Sequence, residues 1–141
     1  MIGLTIQVCT SEDLDVLAGL NKQLIEDEQH DNTMTIEQLK TRMEDFINTD
    51  YKAYLFKENG EVKGYALINH RRDPLYLRQF FICRNSRAQG YGKKAFLKLI
   101  DLLGTHQLDV EVMYWNEKGY AFWRSLGFKE RSVYLRLDTE G

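Results

Sequence analysis

The stretch that decides the fold runs Leu75-Tyr-Leu-Arg-Gln-Phe-Phe-Ile-Cys83, then Arg84-Asn-Ser-Arg87-Ala88-Gln89-Gly90-Tyr91-Gly92, then Lys93-Lys-Ala-Phe-Leu-Lys-Leu-Ile-Asp-Leu-Leu103. An apolar, aromatic-rich run with the composition of a strand passes through a glycine turn into a run in which Tyr91, Ala95, Phe96, Leu99, Ile100 and Leu103 recur at helical spacing. Gly90 and Gly92 free the backbone from Cβ crowding, so the amides of residues 88 to 93, Ala88 and Gln89 among them, can converge on one small anion. A helix starting at Tyr91 adds unpaired N–H groups and the positive end of its dipole. Arg87, Lys93 and Lys94 place full charges around the same turn. The stretch reads as a phosphate or pyrophosphate cradle, although an ordinary strand-to-helix turn with solvated basic residues would carry the same letters.

Downstream, Gly104 is placed to stop the helix and Leu108 to Met113 reads as a strand. A strand, helix, strand unit is parallel and right-handed, which puts the turn at the carboxyl ends of two neighbouring strands. Asn116 opens a last helix containing Tyr120, Phe122, Trp123 and Leu126, Gly127 ends it, and Phe128 to Leu137 is expected to be a final strand. Upstream, Asn59-Gly60 joins strand-like runs at 51–56 and 62–68 in a hairpin. Asp73-Pro74 marks the next turn. At the front, residues 3–9 read as a strand. Thr10 with Asp13, and Thr35 with Gln38, are capping pairs before two helices, whose buried stripes are Leu14, Leu17, Leu20, Leu24, Ile25 and then Ile36, Leu39, Met43, Phe46, Ile47. The sum is an α/β chain with a mixed sheet of about six strands and four helices, in one domain over residues 1–141.

With 141 residues, 43% hydrophobic and 28% charged, the composition is that of a globular protein. No apolar run approaches the roughly 20 residues that span a bilayer. The N-terminal residues lack a basic leader, and the expected location is the cytoplasm. Cys9 and Cys83 have no metal-binding or redox spacing and read as packing residues, while His30, His70 and His106 are scattered, so no metal is expected. Net charge is −2, but residues 11–50 hold eleven acids against three bases, and residues 70–98 hold eight bases against Asp73 alone. A basic patch concentrated around a glycine turn, in a chain of pI near 5.9, favours a small polyanion over nucleic acid.

Two features in this order, the glycine turn and the last helix, resemble the GNAT superfamily of acyl-CoA-dependent N-acyltransferases. In that family a segment Arg/Gln-x-x-Gly-x-Gly/Ala follows the fourth strand and wraps the pyrophosphate of acetyl-CoA; Arg87, Gly90 and Gly92 match it, with Gln89 and Tyr91 at variable places. A second signature runs from an Asn, through a Tyr on the last helix, to a Gly-Phe pair. Asn116, Gly127 and Phe128 match, but Trp123 stands where the tyrosine belongs. The resemblance covers nearly the whole chain.

It implies acetyl transfer from acetyl-CoA to a primary amine, expected to be cationic and either a small molecule or a peptide, with no nucleic acid, membrane or metal involved. An exposed backbone N–H near Phe81 or Ile82 would stabilise the oxyanion, the amides of 88 to 93 would hold the pyrophosphate, and Asn116 would hold the pantetheine arm. Asn116 equally reads as a helix N-cap. An indole is not a general acid, so the proton for the departing thiolate falls to Tyr120, one turn earlier, or to water; Tyr114 is a poorer candidate. The base that deprotonates the ammonium is sought in the acidic turn at Glu26, Glu28 or Asp31, with Glu28 preferred and His70 a further option. A single terminal strand would leave an edge that a second copy could cover. Two other readings remain open. Trp123 is compatible with a GNAT-like module that binds acyl-CoA without catalysis. Gly90-x-Gly92-x-x-Ala95 followed by Asp109 or Glu111 fits a dinucleotide fingerprint, against which stands the hairpin meander before the single strand, helix, strand unit.

Overall fold

Asn59 and Gly60 take left-handed backbone angles (φ 54° and 76°), which closes the tight hairpin between β2 (Tyr51–Glu58) and β3 (Glu61–Asn69). The computed structural model describes residues 3–29, 31–87 and 90–140. The chain forms two compact units, Met1–Glu111 and Val112–Gly141.

In the larger unit the hairpin grows into a five-stranded sheet of order β1-β2-β3-β4-β5. β1 (Thr5–Val8) is antiparallel to β2, β4 (Leu75–Ile82) is antiparallel to β3, and β5 (Leu108–Val110) is parallel to β4. The expected meander and parallel unit are both present. β5 spans three residues rather than the six expected.

Helices cover both faces. α1 (Leu14–Asp27) and α2 (Ile36–Ile47) follow capping boxes at Thr10/Asp13 and Thr35/Gln38, each satisfying two backbone donors. Leu14, Leu17, Leu20, Leu24 and Met43 bury themselves against Ala53, Leu55, Tyr65, Leu67 and Phe81 of the sheet. α3 (Tyr91–Leu103) serves the opposite face: Phe96 meets Phe80 edge-on at 6.4 Å, and Phe80 meets Phe56 at 5.6 Å. Gly104, at φ 63°, ends α3. Cys9 and Cys83 are free thiols in partly buried positions, and burial, reinforced by Asp13, pushes the Cys9 thiol up to about 12, so it is inert.

β4 is paired unequally. Its β3 edge is matched from Tyr76 to Ile82, with a bulge at Arg78, whereas its other edge meets β5 only over Leu75–Leu77. Beyond Leu77 this edge of β4 has no ladder partner among the described residues. Gly64, opposite Ile82, holds β3 close along this half: a Cβ there would stand 2.1 Å from the Phe81 carbonyl oxygen.

In the smaller unit Asn116 opens α4 (Glu117–Ser125), and Gly127, at φ 101°, turns the chain so that the Phe128 amide donates to the Trp123 carbonyl. The expected strand from Phe128 to Leu137 is absent. Residues 128–140 carry no helix or strand, and Val133, Tyr134, Leu135 and Leu137 are 79–89% exposed. β propensity is a preference for a packed, half-buried surface, and without a ladder partner it fixes no structure.

Gly64→Ala is expected to destabilise the protein by about 3 kcal/mol, because the methyl group must displace backbone. Gly19→Ala, in α1 with open space at its Cβ, is expected to stabilise by somewhat under 1 kcal/mol. Chemical denaturation of the two variants measures both, and equal stabilities would contradict the close approach at Gly64.

Candidate active site

The open half of β4 is defined by its hydrogen bonds. The Cys83 amide donates to the Lys63 carbonyl at 2.8 Å, so Cys83 faces β3, and by strand alternation Ile82 turns its own N–H and C=O away from β3. The Ile82 carbonyl accepts from Arg87 Nε at 2.8 Å. Its N–H lies on the edge that β5 has left. Phe81 points its backbone toward β3, and its ring, 2% exposed, belongs to the core under α1 and α2. Of the two expected residues, the geometry opens the amide of Ile82 and not that of Phe81.

The chain next makes a short 3-10 turn, Arg84–Ser86, and reaches Arg87. Ala88 and Gln89 lie outside the described residues. Gly90 adopts φ 78°, ψ 7°, a left-handed conformation that glycine takes without steric cost, and it caps α3 with no side-chain bond. The first α3 amide with a helical partner is that of Lys94, donating to the Gly90 carbonyl at 3.1 Å. Those of Tyr91, Gly92 and Lys93 precede it and have no acceptor within the helix. The helix start is moored to the hairpin: the Tyr91 hydroxyl donates to Glu58 at 2.7 Å, and the Lys63 and Lys94 ammonium groups lie 5.5 and 5.4 Å from the Tyr91 ring centre. Phosphate-ready amides at α3 and the outward amide of Ile82 thus bracket one turn.

Arg87 is not a free cation beside that turn. Besides Ile82, it bonds Asp27 at the end of α1, and Arg84 reaches the same carboxylate at 2.7 Å. Burial pushes the Asp27 carboxyl up, but the two guanidinium groups outweigh it and hold its pKa below the usual value. Asp27 therefore ties the end of α1 to both ends of the 3-10 turn. The sequence marks an acidic turn at residues 26–28 but not which acid makes this bond; only the fold brings positions 27, 84 and 87 together.

Glu28, next along, is half-buried, and burial, then the Asp27 charge, pushes its carboxyl up. It lies close enough to act on the fully buried Tyr65, whose hydroxyl donates to Gln79 Oε1 at 2.7 Å. Glu26 and Asp31 are exposed. His70 is not at this end of the sheet. Gly64 pairs with Ile82, whereas His70 follows Asn69 at the other end of β3, where the Tyr54 hydroxyl lies 2.8 Å from its Nε2 and burial, then Lys52, lowers its pKa.

In the smaller unit, Asn116 Oδ1 accepts the Gly119 amide at 3.0 Å, which is the N-cap geometry. Trp123 packs edge-on against Phe122 and Phe128, at 4.8 and 5.2 Å. The Tyr120 hydroxyl donates to Glu130 at 3.0 Å, and that bond raises the phenol pKa. Among the described residues no group of three His, Cys, Asp or Glu side chains gathers to hold a metal, and no helix is long and apolar enough to cross a membrane.

Solved structures share this fold at low sequence identity. The aminoglycoside N-acetyltransferase AAC(6')-Iy in complex with CoA is 16% identical and superposes with a TM-score of 0.74 over 100% of this chain and 97% of its own. A predicted acetyltransferase with acetyl-CoA from Clostridium acetobutylicum is 14% identical, with a TM-score of 0.74 over 96% of each chain. An aminoglycoside acetyltransferase from an uncultured soil metagenomic sample, in complex with sisomicin, is 15% identical, with a TM-score of 0.70 over 97% of each. No curated protein matches by sequence. The model of the acetyltransferase (GNAT) family matches residues 19–128, from α1 through β2, β3, β4, the glycine turn and α4 to Phe128. The chain belongs to the GNAT acetyltransferase family.

Proposed function

We propose that this protein transfers an acetyl group from acetyl-CoA to a primary amine by direct attack within a ternary complex. The observation that carries the reading is the open half of β4, where the outward amide of Ile82 stands one turn before the unpaired amides of α3. Members of the fold described with CoA, acetyl-CoA or an aminoglycoside support both substrates.

The amides of Gly90, Tyr91, Gly92 and Lys93 bind the pyrophosphate, and the Lys93 side chain adds charge. Arg87 acts mainly by shaping that turn, because its charge is already met by Asp27. Asn116 and Trp123 contribute to the pantetheine side. The Ile82 amide donates to the thioester oxygen as it becomes an oxyanion, and this bond strengthens in the transition state. The amine arrives as an ammonium ion. Glu28, whose raised pKa brings it toward neutrality, takes its proton. The amine nitrogen then forms a bond to the carbonyl carbon; as the carbon–sulfur bond breaks the nitrogen gives up its second proton to water, and coenzyme A leaves as a thiolate. Tyr120 gives a proton to that sulfur and takes one back from water; hydrogen bonding to Glu130 raises the phenol pKa.

Incubating the protein with acetyl-CoA and a panel of primary amines is expected to release free thiol. Binding of acetyl-CoA with no turnover on any acceptor would instead identify a non-catalytic sensor, and binding of NAD but not acetyl-CoA would overturn the assignment. Gly90→Val, which forces a branched side chain into left-handed φ, is expected to raise the acetyl-CoA KM at least tenfold while leaving the protein folded. An unchanged KM would remove the cradle from the mechanism.

Two variants separate the proton steps. For the wild type, kcat/KM for the amine should fall as pH drops through the raised Glu28 pKa. Glu28→Gln should abolish that acidic limb and slow the reaction about 100-fold; a retained limb would exonerate Glu28. Tyr120→Phe should lower kcat tenfold or more with the acetyl-CoA KM unmoved. Full activity would assign that proton to water.

A further inference from the structure

Six arginines lie in the larger unit, and four of them have a carboxylate within 4.0 Å: Arg71, Arg72, Arg84 and Arg87. The other two, Arg42 of α2 and Arg78 of β4, have no such partner among the described residues, and they are neighbours. Both guanidinium groups lie over the same ring, Phe46, at 5.4 and 4.9 Å from its centre. The charge of Arg78, after burial, holds the Arg42 pKa below its usual value. Arg78 also lies over Tyr51 at 5.9 Å and donates to its hydroxyl at 3.4 Å, while Arg42 donates to Asn21 Oδ1 at 3.2 Å.

Two like charges packed on one phenyl ring repel, and the aromatic faces offset that only in part. Its hydrogen bonding is also incomplete: among the described residues the buried donors Arg42 Nε and Asn21 Nδ2 have no acceptor within hydrogen-bond distance. An unmatched pair of planar, bidentate donors is a recognition element for a carboxylate.

The place of the pair connects it to the reaction. Arg78 is the first residue of β4 beyond the last pairing with β5, and Ile82 lies four residues further along the same open edge. Tyr65 and Gln79, hydrogen-bonded to each other, lie on the α1 and α2 face between them, with Glu28 acting on Tyr65 from the Ile82 end. At about 3.3 Å per residue the separation is roughly 13 Å of strand, shortened by the reach of the guanidinium groups. We infer that the acceptor is a zwitterion: a primary amine that also carries a carboxylate several bonds away, seated on Arg42 and Arg78 while the amine lies toward Ile82 and Glu28.

This rests on the N-acetyl-transfer reading, and matched acceptors test the two separately. Thiol release is measured with 6-aminohexanoate, hexylamine, 1,5-diaminopentane and glycine. In parallel, nuclear magnetic resonance follows the arginine Nε–H signals on addition of 6-aminohexanoate alone. The expected result is a kcat/KM for 6-aminohexanoate at least tenfold above those of the other three. Arg78→Gln and Arg42→Gln should erase that advantage through KM, leaving hexylamine turnover and the acetyl-CoA KM unchanged. Arg71→Gln, which removes an equal charge elsewhere on the sheet, should have no effect. Equal rates for all the amines, a preference for the diamine, or equal losses for every acceptor in folded Arg78→Gln would overturn the inference while leaving acetyl transfer standing. Thiol release from no amine would count against the transfer reading instead; the arginine pair is then judged by its signals, whose movement would support the carboxylate site and whose silence would refute it.

Discussion

Everything in the larger unit depends on one backbone constraint, the unequal pairing of β4. Full pairing with β3 fixes the strand, and Gly64 allows the approach at Ile82 because it carries no Cβ. Pairing with β5 over three residues leaves the other edge open from Arg78 onward. A fully paired strand has no amide to offer a substrate, and an unpaired one has no fixed geometry. β4 is both rigid and open, which is the condition for electrostatic preorganisation.

Asp27 couples this opening to the helices above it. Its carboxylate gathers Arg84 and Arg87, and Arg87 in turn holds the Ile82 carbonyl. One acid at the end of α1 therefore sets the path of the chain from the open strand through the 3-10 turn to Arg87. The pair is partly exposed, so its contribution to stability is modest. Its role is geometric, and it leaves the positive work at the turn to the backbone amides and the Lys93 side chain.

Sequence reading recovered what local chemistry dictates. Asn59-Gly60 requires a tight turn, Thr10 and Thr35 with their partners three residues on require helix starts, and the stripe from Leu14 to Leu24 requires a sheet beneath it. The glycine turn was legible for the same reason: Gly90 takes the φ that glycine permits. What the sequence hid depends on contacts between distant positions. Nothing near Asp27 distinguishes it from Glu26 or Glu28 until Arg84 and Arg87 arrive from 57 and 60 residues away. Whether Ile82 or Phe81 shows its amide depends on a hydrogen bond from Cys83 to Lys63. Phe128 to Leu137 has the letters of a strand but forms none, because a strand is a property of a pair, and its own letters supply only half of that.

The outward amide of Ile82 and the first amides of α3 are proposed to form together the site for the acyl-CoA. The most direct measurement is a titration of isotope-labelled protein with coenzyme A, followed through backbone amide resonances. The signals of Ile82 and Gly90 to Lys93 are expected to move most, and those near His70 and the far end of β3 to stay in place. Stationary signals at Ile82 and the start of α3, with binding registered elsewhere, would contradict it.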